Sequence, residues 1–152
     1  MVKYNLKQSR YAKPLSWAVG TALASVSILG LIRTFIRPAY GKGYGFIPDL
    51  LGVLPNFLAG FGIPFLALSV YYLSVLELES EVPEHAPAAA YTYKQIALAL
   101  LIVAALNTTG LLLWEVLQID SKLVYDIKDI AATVAGSVAC LLLFAKAPAF
   151  KK

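Results

Sequence analysis

Apolar residues fall in four long blocks along this chain, and short polar stretches separate them. The first opens "LSWAVGTALASVSILGLI" from Leu15. The blocks predict membrane spans over about residues 15–36, 50–76, 96–117 and 129–146. Most approach the length of about 20 residues that a bilayer requires, and the last is the shortest. None alternates with the period of a barrel strand. A backbone in hydrocarbon must satisfy its own polar groups, so each block is expected to be a helix. The predicted fold is an all-α integral membrane protein in one domain, residues 1–152, with about four transmembrane helices.

The second block is the irregular one: "IPDLLGVLPNFLAGFGIPFLALSVYYLSVL". Pro55 and Pro64 each remove a backbone donor, and Gly60 and Gly62 loosen the segment between them. Two structures fit this pattern. One is a single proline-kinked helix. The other is a re-entrant turn from Pro48 to about Gly62, followed by a straight span from Ile63 to Leu76. Asn56 lies inside this block and needs a hydrogen-bond partner on another helix, as does Asn107 in the third block.

Composition agrees with the blocks. The chain is 59% hydrophobic and 14% charged, against about 25% charged in soluble domains. Its mean hydropathy is +0.71. The basic residues that give a pI near 9.2 stand at the ends of the apolar blocks. There they meet lipid phosphates rather than nucleic acid. The lipid bilayer is thus the first partner, and other membrane subunits are candidates for a second. Tyr71, Tyr72, Tyr91, Tyr93, Trp17 and Trp114 read as interfacial belt residues. "ALA" at 22 to 24 looks like a signal cleavage site, but the apolar run continues to Ile32, too long for a signal core. An uncleaved span is expected.

Lysine and arginine counts set the orientation. With four spans, both termini and the middle loop share one side, which carries eight basic residues against five on the other. Both termini are therefore expected in the cytoplasm.

Polar positions inside the blocks supply the candidate chemistry. Asn107, Leu111, Glu115 and Gln118 are spaced by four, four and three, which is one line along a helix. Glu115 at the membrane edge must pair, protonate, snorkel or meet water. In "YDIKDIAATVAG", Asp126 and Asp129 precede the last apolar run. Asp129, Thr133 and Gly136 fall on one face, and Ala132, Gly136 and Cys140 form a small-residue ridge that invites close packing. The third and fourth spans form a short-looped hairpin. The face of Asp129 is expected to meet the third span, gathering Glu115, Gln118, Asp126, Asp129 and Thr133 into one membrane-edge cluster. The bland alternative is capping: an aspartate at a helix start accepts free amides and suits the dipole. Capping is the preferred role for Asp126. For Asp129 with Glu115, both roles stay open, and whether a metal joins them is undecided.

"WEVLQIDSKLVYDIKDIAATVAGSVACLLLF", residues 114 to 144, resembles the carboxy-terminal signature of the VanZ-like membrane protein family. Glu115, Gln118, Asp129, Thr133 and Gly136 occupy the family's motif places, and Asp126 matches a less regular aspartate. Thr133 stands where the family usually has asparagine. The family's loop arginine is absent, and Lys122 is the nearest basic residue. "LPNFLAGFGIPFL" sits at the place of another polar edge motif, without its histidine. The resemblance covers about a fifth of the chain. It implies a multi-pass protein of the bacterial inner membrane, associated with envelope precursors and tolerance of glycopeptide antibiotics, without a defined reaction.

Other functions are excluded. The single histidine, His85, lies outside the spans and cannot serve a membrane haem pair or a pigment. There is no Ser-His-Asp set, P-loop or zinc-protease motif. Neither a cofactor nor catalytic residues are implied, and a non-enzymatic role is favoured. Three functions stay open: the VanZ-like one, a small structural or assembly subunit of a larger membrane complex, and a lipid-modifying enzyme using Asp129 or Glu115 with a divalent cation. The topology is directly testable. Cysteines placed at positions 2, 42 and 151 in intact cells should react with an impermeant thiol reagent at 42 alone. Labelling at either terminus would reverse the orientation.

Overall fold

The computed structural model describes residues 11–41, 43–81, 93–117, 126–147 and 150. Among them there are helices and turns but no strand. Helix α1 runs Ala12–Leu31, passes through a π-helical turn at Ile32–Ile36, and ends in the short α2, Arg37–Tyr40. In the wide turn the Arg37 N–H bonds to the carbonyl of Ile32, five residues back. Pro38 follows at once, with no N–H to offer the carbonyl of Thr34. The chain then reverses around Tyr44, where Gly43 (φ 99°) and Gly45 (φ 134°) adopt backbone angles that side chains disfavour.

Helix α3, Phe46–Glu81, is continuous through both prolines. Of the two structures that fit the second block, the unbroken helix is the one adopted, and there is no re-entrant turn at Pro48–Gly62. At about 1.5 Å per residue its 36 residues exceed the ~30 Å hydrocarbon core, so it extends beyond the bilayer. Helices α4, Tyr93–Leu117, and α5, Ile127–Lys146, complete the set. Among the described residues four helices are long and apolar enough to cross a membrane, and the protein is an all-α multi-pass membrane protein.

Helix α3 is the hub and packs against α1, α4 and α5. Its order against α1 is antiparallel: Gly62 faces Ser25 and Tyr72 faces Tyr11. Against α5 it is parallel, with Asp49 beside Lys128 at one end and Tyr72 beside Phe150 at the other. Helix α4 runs opposite to both, pairing Asn107 with Ala59 and Tyr93 with Phe144. The bundle's two ends differ. One holds an aromatic cluster of Tyr72, Phe65, Phe144 and Phe150. There Ala147 is extended (φ −69°, ψ 122°), as a residue before proline must be, and Phe150 folds back onto Phe144 with ring centroids 4.8 Å apart. The other end holds a small cluster of Ile32, Leu51 and Leu58 beneath polar residues.

The tightest contact joins α3 and α5. A Cβ on Gly60 would collide with the Thr133 carbonyl, and one on Gly136 would collide with the Phe57 carbonyl and lie 3.0 Å from the Phe61 nitrogen. Each glycine is thus opposed by backbone, which cannot move aside. The small-residue ridge of the last span faces the second span, α3, whereas the sequence placed that face against the third. The reason is that glycine stands on both partners there, and each lets the other's carbonyl approach. Pro64 adds a polar reason. It cannot donate to the carbonyl of Gly60, and Ser137 Oγ donates to that carbonyl instead at 3.3 Å. The Ser137 hydroxyl also lies 2.6 Å from that of Thr108, so one side chain joins three helices.

Gly136→Leu should therefore lower thermal stability in detergent by the equivalent of about 2 kcal/mol or more, since the neighbours are backbone. Gly20→Leu, on an open face of α1, should stay within about 0.5 kcal/mol. Equal effects would mean that the α3–α5 contact is not the critical one.

Candidate functional site at one membrane edge

Asp126 and Asp129 do different things. Asp126 is the N-cap of α5: its Oδ1 accepts from the Lys128 N–H at 2.8 Å, with extended backbone at φ −131°, ψ 116°. Its carbonyl accepts from the Asp129 N–H at 3.0 Å. This is the arrangement that favours aspartate at a helix start, and it leaves Asp129 free of capping duty.

Asp129 turns toward α3. Its carboxylate accepts a hydrogen bond from the Asn56 side chain. Arg37 lies near enough to attract it, and Asp126 near enough to repel it. Three segments far apart in sequence thus meet here: the end of the first span, the first third of α3, and the first turn of α5. Beside them Lys128 Nζ pairs with Asp49 Oδ2 at 3.0 Å, both side chains being exposed. So exposed a pair adds little stability, but it ties the start of α5 to the start of α3.

The remaining predicted residues line the interior beneath this edge. Thr133 is buried one turn below Asp129, and Ser137 one turn further, so α5 carries a polar line at every fourth position. Asn107 donates from Nδ2 to the Ala59 carbonyl at 3.4 Å. Glu115 is buried on the face of α4 that also holds Ile96, Leu100 and Ala104. Since α4 ends where α5 begins, Glu115 sits at the same end of the bundle as Asp129. Asp129 interacts with Asn56, Asp126 and Arg37. Gln118 lies outside the described residues, as do the loop at 118–125 and His85.

Sequence reasoning placed Asn56 and Asp129 on different helices without pairing them, and counted Arg37 only among the basic residues that set the orientation. A signal existed for Ser137: a proline at 64 frees the carbonyl at 60, and a neighbouring hydroxyl is the natural donor. No comparable signal pointed to Arg37, because its approach depends on the π turn and the reversal at Gly43–Gly45.

Chemically the site offers one carboxylate, one amide and one guanidinium. Among the described residues no group of three His, Cys, Asp or Glu side chains gathers to hold a metal ion. The arrangement suits hydrogen bonding and charge matching at the membrane surface. No protein family, curated protein or solved structure matches this chain.

The division of labour between the two aspartates is measurable. Asp126→Asn should leave stability unchanged, because asparagine caps as well as aspartate, whereas Asp126→Ala should cost about 1 kcal/mol in a thermal unfolding series.

Proposed function

We propose that this chain is a VanZ-like protein of the bacterial inner membrane, with both termini in the cytoplasm. Its work in the envelope is done through the Asn56–Asp129–Arg37 edge. The observation that carries this is the freedom of Asp129 from capping. The resemblance marks that position, and a carboxylate needed only to start the helix would duplicate Asp126. Instead it faces inward, held by an amide from α3 within the field of an arginine from α2. No reaction is assigned. The site engages an envelope precursor by hydrogen bonds and charge.

A small assembly subunit is the competing function, and one observation favours it. Only 17% of the most apolar window of α4 is buried, the least of the four spans. Its outward face, with Leu98, Leu101, Ile102 and Leu106, is open to lipid or to another chain.

The test compares Asp129→Asn with Asp126→Asn in a strain lacking the native gene. Asp129→Asn should insert at normal levels yet lose glycopeptide tolerance, while Asp126→Asn should keep it. Equal, small effects, together with a native mass larger than this chain alone, would favour the assembly subunit instead.

A further inference from the structure

At the same edge the carboxylates are bonded or buried, whereas neither arginine is bonded, although Arg37 lies in the field of Asp129. Asp49 is paired with Lys128, Asp126 with the Lys128 N–H, and Asp129 with Asn56. Glu115 is buried. Arg33 and Arg37 are both exposed, and among the described residues neither guanidinium closes an ion pair or a hydrogen bond. They stand four residues apart across the π turn, at the end of the first span. Every residue from Arg33 to Tyr40 is exposed, and the segment adds Phe35 and Tyr40, 67% and 65% exposed. This is an arm of two cations and two exposed aromatic rings at the end of the first span.

We infer that Arg33 and Arg37 form a binding site for the phosphate of an anionic lipid headgroup, with Phe35 and Tyr40 seated among the upper acyl carbons. Charge complementarity selects this occupant. A guanidinium fork matches phosphate oxygens in bidentate fashion, and two forks within one turn of helix can share one phosphate. The aromatic rings favour the boundary between headgroup and hydrocarbon, which excludes a soluble anion as the natural ligand. The wide turn at Ile32–Ile36 keeps both arginines on the arm while α1 stays in the bilayer, a placement often found where a π turn serves a site. The inference does not depend on the function proposed above. Arg37 belongs to both sites, but Arg33 has no part in the Asp129 edge.

The experiment uses the full chain in mixed-lipid nanodiscs and native mass spectrometry to count retained lipids. The probes are phosphatidylglycerol and phosphatidylcholine. Wild type should retain phosphatidylglycerol preferentially. From the attraction of about one surface cation per arginine, the double variant Arg33→Gln with Arg37→Gln should lose this preference roughly thirtyfold, and Arg33→Gln alone roughly fivefold. Lys13→Gln with Lys94→Gln, at the opposite end, should keep it, and so should Asp129→Asn even where function is lost. Preference that survives in the double arginine variant, or that falls equally in the lysine variant, would overturn the site. Displacement of the lipid by millimolar inorganic phosphate would overturn the lipid as occupant.

Discussion

Gly60 and Gly136 let the backbones of α3 and α5 touch, and the rest of the bundle is arranged around that contact. Lipid gives apolar helices no hydrophobic reason to associate with one another. Close packing and interhelical hydrogen bonds must do it. Here both act at one level of the membrane. Pro64 withholds a donor from the Gly60 carbonyl, Ser137 supplies one, and Thr108 joins the same hydroxyl from α4. Removing the glycines would separate the backbones. The Ser137 hydroxyl would then no longer reach the Gly60 carbonyl.

That contact also fixes the register of everything toward the membrane edge. With Gly136 seated on Phe57, α5 runs parallel to α3, and its first turn is brought level with Asn56. Asp129 then has a donor across the interface, and Lys128 reaches Asp49. The two halves of the bundle consequently differ in kind. Toward the other end the interface is aromatic, with Phe65, Tyr72, Phe144 and the returning Phe150 packed ring against ring. Toward the Asp129 edge it is polar and built from short side chains. An aromatic half thus adjoins a hydrogen-bonded half in one bundle.

The first span contributes differently. It meets α3 along Ser25 and Gly62, where a Cβ would come within 2.6 Å of the serine side chain, and its far end still packs on α3 while leaving Arg33 and Arg37 exposed. Arg37 sits where the bundle interior and the lipid surface meet, in the field of Asp129 and still exposed. Its placement makes the arm and the inward site neighbours without merging them.

The sequence by itself determined the class of the molecule, the four spans, and the capping role of Asp126. These follow from block length, from the backbone's need to satisfy itself in hydrocarbon, and from local helix-end chemistry, all of which act within a few residues. It also marked Asn56, Asn107, Asp129, Thr133 and Gly136 as residues needing a partner across a helix interface. It did not determine which helix supplied that partner. Periodicity gives a face but not what lies opposite. The short loop between the last two spans suggested α4, whereas the glycines matched across α3 and α5 brought α3 instead. Whether Pro55 and Pro64 broke the second span was likewise open from the residues alone. At Pro64 the outcome rested on Ser137, a donor 77 positions along the chain from the Gly60 carbonyl it serves, and only the packed bundle supplies such a donor.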